Sequence, residues 1–230
     1  MIEIENLRKK YPKNWALRGI SLQIAAGRVT GILGENGSGK STLFKILAGV
    51  VRPSAGSVLI SGEQVGLNTR TTTAYLPEVD PFYAWMKVGE QLDFLSQFYP
   101  GWDRSKAEEL LRFMNVPADE PIGALSKGQK ARLKVISGLC WANDLVLMDE
   151  PFNGIDPPSR RKILEAVFGE FRHDGQQTIV VSTHLVGEVE EYLDDVVYLH
   201  DGEVALQGNA DDLRTERSQS LSDLFAEVVA

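Results

Sequence analysis

The sequence predicts an α/β fold, and three observations lead there. Residues 29–33, 145–148 and 178–181 are short and almost wholly apolar, the pattern of strands buried on both faces in a parallel sheet. Helical periodicities alternate with them. Leu43, Phe44, Ile46, Leu47 and Ala48 follow the first strand, and Ile163, Leu164, Val167, Phe168 and Phe171 share one face of a helix over 161–171. Between these halves, from about 79 to 139, the character turns mainly helical, so the α/β core carries a helical insertion.

Each element has a local reason. Ile2, Ile4 and Leu7 set a two-residue period, as do Ile20, Leu22 and Ile24 before Gly27, so the chain opens in β structure. The helix of Leu43 to Ala48 stops near Gly49, and residues 53–56 turn into a short strand at 58–60. Asp103 is placed as an N-cap, after which Ala107, Leu110, Leu111 and Met114 recur at helical spacing. Asp194 and Asp195 read as a solvated helix end. Residues 196–200 and 203–206 flank Asp201-Gly202, a two-residue hairpin turn. Leu221, Leu224, Phe225 and Val228 form an amphipathic helix that docks on the body.

Composition narrows the classes. The 230 residues carry 24 Lys+Arg against 32 Asp+Glu, a net charge of −8, and no Lys/Arg block is expected to break that balance. A large duplex-binding surface, which needs clustered cations for phosphate contacts, is therefore not expected. The single cysteine, Cys140, forms no intramolecular disulfide and reads as a small buried apolar residue. No window approaches roughly 18 uninterrupted apolar residues, so no segment is expected to span a bilayer. Residues 1–5 alternate apolar and acidic side chains, unlike a signal peptide. The expectation is a soluble, cytosolic chain.

Chemistry concentrates in two segments. Gly34-Glu35-Asn36-Gly37-Ser38-Gly39-Lys40-Ser41-Thr42 places glycine, four residues, then Gly-Lys-Ser between a buried strand and a helix. Gly37 and Gly39 let backbone N–H groups turn inward around an anion, and the positive helix end points at the same place. Lys40 then bridges the β- and γ-phosphates of a nucleotide, while Ser41 offers its hydroxyl to Mg²⁺. The second segment is the apolar strand 145–148 ending in Asp149 and Glu150. Asp149 suits a Mg²⁺ position and Glu150 the polarisation of an attacking water.

Leu125-Ser126-Lys127-Gly128-Gln129 then selects among nucleotide-binding families, standing about twenty residues before the second segment. The chain here resembles the ATP-binding subunit of an ABC transporter, in the branch that works with ABC-2-type membrane subunits. The remaining family elements stand in order. Tyr11 is at the adenine-stacking position, with Trp15 as its substitute, and Glu78 in Tyr75-Leu76-Pro77-Glu78 is at the Q-loop position. Asn153-Gly154-Ile155-Asp156-Pro157 resembles the D-loop, and His184 the switch histidine. Three positions depart from the pattern: Lys127 for a signature glycine, Glu78 for glutamine, and Ile155 for leucine.

The resemblance implies a P-loop NTPase (RecA-like) core with an N-terminal antiparallel β subdomain and an inserted helical ABC subdomain, in one domain over 1–230. The β subdomain and core would take 1–78 and 140–230, and the helical subdomain about 79–139. It implies ATP and Mg²⁺ as ligands. Tyr11, Gly34, Asn36, Gly37, Ser38, Gly39, Lys40, Ser41 and Thr42 would bind ATP. Ser126, Gly128 and Gln129 would reach it in trans, from a second copy or a related subunit in a head-to-tail dimer. Ser41, Glu78 and Asp149 would hold the metal, and Glu150 and His184 would be catalytic. It also implies a separately encoded transmembrane permease, an exporting direction and a peripheral place on the cytoplasmic face of the membrane. The rings of Phe82, Tyr83, Trp85, Phe94, Phe98, Tyr99 and Trp102 mark the surface for that partner. Most are expected in the core of the insertion, with Phe82, Tyr83 and Trp85 partly exposed. His173 and His200 receive no role.

Two other classes share the phosphate-loop motif but fit the rest of the chain less well. A soluble ABC ATPase acting on ribosomes or nucleic acid usually carries two nucleotide modules or a long coiled coil, and this chain shows neither. A P-loop kinase or GTPase would not need residues 125–129, and no Asn-Lys-x-Asp guanine-reading segment occurs.

Overall fold

The computed structural model describes residues 1–170 and 177–228. The chain runs β1 (Ile2–Lys10), β2 (Trp15–Ile24), β3 (Val29–Leu33), α1 (Lys40–Leu47), β4 (Ala55–Ile60), β5 (Glu63–Gln64), α2 (Leu67–Arg70) and β6 (Thr73–Leu76). The helices α3 (Val88–Leu95), α4 (Arg104–Phe113) and α5 (Lys127–Leu139) follow. It closes with β7 (Leu145–Asp149), α6 (Pro157–Leu164), β8 (Thr178–Thr183), β9 (Asp195–His200), β10 (Glu203–Asn209), α7 (Ala210–Arg217) and α8 (Leu221–Val228).

Among the described residues the strands form two sheets. The first is antiparallel, in the order β2–β1–β4–β5. The second, β10–β9–β3–β8–β7–β6, is parallel from β9 to β6 with β10 antiparallel at one edge. Alternation along β7 shows how the layers share side chains. Leu145 and Leu147 join Ile32, Val180, α1 and the antiparallel sheet in one core, while Val146 and Met148 share the other with residues of α3, α4, α5 and α6. A strand covered on both faces has no polar side to show, which is why residues 145–148 read as unbroken hydrophobic sequence. Each such side chain contributes about 1.5–3 kcal/mol by burial.

The expected caps and turns form. Asp103 accepts a hydrogen bond from the Lys106 amide, and Asp201 and Gly202 take φ of 47° and 81°, the left-handed pair a two-residue hairpin turn requires. Tyr198 donates to the Leu221 carbonyl at 2.7 Å and stacks on Phe225, which docks α8 on the sheet. Cys140 is buried, and burial pushes its thiol up to about 12.

Several expectations change. Asp194 and Asp195 are not a solvated helix end: Asp194 accepts from the Val29 amide at 2.8 Å, and Asp195 pairs with Arg28 where β9 begins beside β3. The helix expected over 161–171 starts earlier, at Pro157, because Asp156 caps it and proline suits the first turn. It continues past Leu164 as a π-helical segment over Glu165–Glu170. Phe171 and His173 lie outside the described residues. The rings of the insertion are mostly not core. Val88, Leu92 and Leu95 take the inner face of α3, so Phe94 falls on the outer one, and Phe98 just beyond the helix is exposed as well; Tyr83 and Trp85 are exposed as expected. Phe82 and Trp102 are only partly buried.

Candidate functional site

The site is built where β3 and β7 end. Gly37 and Gly39 take φ of 91° and 109°, a region closed to ordinary side chains, and this turns the loop between β3 and α1 back on itself. A Cβ on Gly39 would strike the Ala16 carbonyl, and one on Gly34 the Leu199 carbonyl. The loop closes through the Ser38 amide on the Glu35 carbonyl, while the buried Ser38 hydroxyl lies against Gly34. Lys40, buried, donates to the carbonyls of Gly34 at 2.6 Å and Glu35 at 3.0 Å, so its ammonium is held inside the loop.

Two carboxylates meet this loop from β7. Asp149 accepts from Ser41 at 3.0 Å and from the Ser182 hydroxyl at 2.7 Å, and Tyr75 lies 3.5 Å from its other oxygen. Burial raises its pKa above the usual carboxylate range, and the Ser182 and Ser41 hydrogen bonds pull it back. Glu150 takes φ 47°, strained for a non-glycine residue, with its amide on the Ser182 carbonyl and hydroxyl. That geometry folds its carboxylate back over the loop. Oε1 lies 3.2 Å from Lys40 Nζ, an ion pair outside hydrogen-bond geometry, and Oε2 lies 3.0 Å from His184 Nδ1.

A cleft of 440 Å³ opens over these groups, lined by Tyr11, Asn14, Ala16, Asn36, Gly37, Gly39, Lys40, Ser41, Thr42, Glu78, Glu150 and Asn153. Most of the expected site residues are thus together, with Asp149 behind Ser41 and His184 behind Glu150. Tyr11 lines the cleft and Trp15 does not. Lys9 sits 5.2 Å over the Tyr11 ring and Lys10 5.3 Å over Trp15. Arg8, Lys9, Lys10 and Lys13 concentrate on the β1–β2 hairpin, so a basic patch does interrupt the acidic balance beside the cleft.

Ser126, Gly128 and Gln129 are elsewhere. Ser126 caps α5, its hydroxyl accepting from the Gln129 amide while Gln129 Oε1 accepts from the Ser126 amide. Gly128 packs so tightly on Ser159 and Asp156 that a Cβ would collide, and Lys127 extends across Gly154. Lys134, farther along α5, donates to the carbonyls of Pro77 and Glu78, both at 2.8 Å, and pairs with Asp80 at 3.4 Å. Burial lowers its pKa below the usual lysine range, and the Asp80 charge opposes this.

Sequence reasoning passed over Ser182, which donates to the Asp149 carboxylate and accepts from the Glu150 amide. The available signal was a hydroxyl directly after the apolar run 179–181, in the strand that ends just before His184. It also passed over the contact between Asn153 and Glu78, which join from distant segments with no shared motif.

The donor set fits a nucleotide with a divalent cation. The glycine turns leave a backbone cradle suited to an anion, with one ammonium inside it. A hydroxyl and a carboxylate oxygen 3.0 Å apart suit a hard cation. Among the described residues no cluster of three or more His, Cys, Asp or Glu could hold a metal alone, so the ion would share its ligands with phosphate. Fold and site together define a P-loop nucleotide-hydrolysing protein.

Comparison with known proteins narrows the class. Residues 17–153 match the family described as ABC transporter, and the chain belongs to that family. It is an ATP-binding subunit of the ABC transporter type and an ATPase. It is 29% identical over 227 residues to the lantibiotic transport ATP-binding protein SrtF of Streptococcus pyogenes, covering 98% of this chain and 96% of that protein. It is 30% identical over 223 residues to the Nod factor export ATP-binding protein I of Ralstonia nicotianae, covering 94% and 69%. The solved dimer of the ATP-binding cassette MJ0796, in a post-hydrolysis state bound to ADP and Pi, superposes with TM-score 0.81 at 25% identity, covering 91% of this chain and 99% of that one. Among the described residues no helix is long and apolar enough to cross a membrane.

Proposed function

We propose that this chain is the motor of an exporter, one of two ATP-binding subunits acting beside a separately encoded transmembrane permease on the cytoplasmic face of a membrane. The observation that carries the reading is a division of labour within one chain. Phosphate loop and carboxylates share a cleft, whereas Ser126, Gly128 and Gln129 stand apart at the N-terminus of α5. A head-to-tail partner, a second copy or a related subunit, supplies that second set of donors and the helix dipole to the γ-phosphate. The dimeric cassette with ADP and Pi supports the pairing, and the relatives named for lantibiotic transport and Nod factor export support the direction. We divide the chain into a β subdomain with core, 1–78 and 140–230, and a helical subdomain of about 79–139. The exposed rings of Tyr83, Trp85, Phe94 and Phe98 on the latter are the surface for the permease. No nucleic-acid partner is proposed.

In this mechanism Tyr11 stacks on adenine, and the backbone of 34–39 wraps the phosphates, with Asn36 and Thr42 at its rim. Lys40 exchanges its carbonyl partners for β- and γ-phosphate oxygens. Ser41, Asp149 and Glu78 would hold Mg²⁺, which would supply positive charge to neutralise those phosphates. The carboxylates of Glu78, Asp149 and Glu150 face one lysine and an anionic substrate, a charge balance that a divalent cation corrects. Glu150 orients the attacking water and accepts its proton at a carboxylate oxygen. With Nδ1 engaged by Glu150, the nitrogen His184 has left for the γ-phosphate is Nε2. Hydrolysis removes the ligand that both subunits share, so closing and opening follow ATP occupancy.

The test is purification of the Glu150→Gln protein from detergent-solubilised membranes of its native cell with ATP and Mg²⁺ present. A polytopic membrane protein in fixed ratio is expected. Ribosomes, nucleic acid or no membrane partner would contradict the transport reading.

A further inference from the structure

Glu78, which stands where the family carries glutamine, is fixed from two sides. Lys134 holds its main chain through the Pro77 and Glu78 carbonyls. Its side chain is held by Asn153, whose Nδ2 donates to Glu78 Oε1 at 2.9 Å. Asn153 is itself anchored to the hydrolytic segment, since its backbone amide donates to the Glu150 carbonyl at 3.2 Å. Asn153 and Glu78 both line the cleft with Lys40, Ser41 and Glu150. Among the described residues no hydrogen-bond donor reaches Glu78 Oε2.

The chemistry of the pair is one-directional. An ionised carboxylate only accepts, so Asn153 must present its NH₂, and the bond engages one oxygen of Glu78 and leaves the other. A glutamine at 78 could pair with Asn153 in either sense, and its orientation would not be fixed in this way. We propose that Asn153 is a positioning residue for the ATPase reaction: it sets which oxygen of Glu78 is presented to the metal side of the γ-phosphate and keeps that oxygen in register with Glu150. The proposal rests on the reading of Glu78 as a group that serves the bound Mg·ATP.

A double-substitution cycle tests it. Asn153→Asp sets two acceptors against each other; Glu78→Gln added to it rebuilds the bond with reversed polarity, the glutamine amide now donating to the carboxylate introduced opposite it. Two readouts are taken on the whole protein: kcat and KM for MgATP, and the affinity for a fluorescent ATP analogue with Mg²⁺ and with EDTA. Melting curves confirm that each variant is folded. Asn153→Asp is expected to lower kcat about tenfold and to reduce the Mg²⁺-dependent gain in nucleotide affinity, with the EDTA affinity unchanged. The double variant is expected to recover to within about threefold of Glu78→Gln alone. Strictly multiplicative effects, or an Asn153→Asp protein equal to wild type in both readouts, would overturn the proposal. Glu78→Ala separates the two levels. If it alters both readouts while the cycle shows no coupling, only the role of Asn153 fails. If it alters neither, the reading of Glu78 fails and the proposal with it.

Discussion

The nucleotide cleft and the outer face of α3 place their side chains in opposite ways. In the cleft, polar groups are buried and paired: Lys40 and Glu150 are 5% and 7% exposed, and Asp149 at 2% is shared by Ser41 and Ser182. On α3 and the loops that flank it, large apolar rings stand in solvent, Trp85 at 76% and Phe98 at 65%. Each arrangement is costly for an isolated chain, because buried charges lose hydration and exposed rings keep their water. The cleft offsets part of its cost within the chain, through Ser41, Ser182 and the Lys40–Glu150 ion pair. The aromatic face has no partner among the described residues, and its contacts with its own rings, such as Phe94–Phe98 at 5.0 Å, cover little of it. The difference separates a site this chain builds nearly alone from a surface that makes sense against another molecule.

The largest effect is expected at Glu150. Glu150→Gln removes the base while keeping shape, and steady-state hydrolysis should fall about 10²–10⁴-fold with ATP still bound. Lys40→Ala comes next: nucleotide affinity, read by fluorescence titration, should fall on the order of 30–100-fold, the scale of lost charged hydrogen bonds. Tyr11→Ala should weaken ATP about tenfold through lost stacking, with Tyr11→Phe near wild type.

Asp149→Asn should abolish hydrolysis yet raise unfolding stability near neutral pH by about 0.5–2 kcal/mol, a trade common at functional sites. The sign follows from the raised pKa of Asp149. Ionisation there works against the folded state, so stability is fully present below the usual carboxylate pKa and is lost as pH rises through the raised one. The advantage of the asparagine variant should therefore shrink as melting is repeated at progressively lower pH. Smallest of all, Trp85→Ala and Phe98→Ala should move stability by under about 0.5 kcal/mol and leave ATPase activity intact, while co-purification with the permease is lost. Buried Leu110→Ala in the same insertion should instead cost about 2–5 kcal/mol.

The two regions also differed in how far the sequence disclosed them. Residues 34–42 and 145–150 were legible because backbone chemistry ties residue type to fixed spacing: glycines where φ is positive, lysine one residue later, carboxylates at a strand end. The buried strands β3, β7 and β8 were legible from short, almost wholly apolar runs. Ser182 was not, since its use depends on β8 lying beside β7, a pairing that no local pattern encodes. The rings of the insertion misled for a related reason. Aromatic residues predict burial, but the inner face of α3 was already filled by Val88, Leu92 and Leu95. Helix α7 escaped because Ala210 and Leu213 alone are buried in a charged segment, too few to set a period.

If ATP joins two of these subunits through donors that neither chain brings to its own cleft, the mass of the Glu150→Gln protein in sedimentation depends on MgATP. A monomer is expected without nucleotide and a stable dimer with it, returned to monomer when Ser126 is replaced by a bulky acidic residue. A protein that binds MgATP and remains monomeric would contradict that expectation.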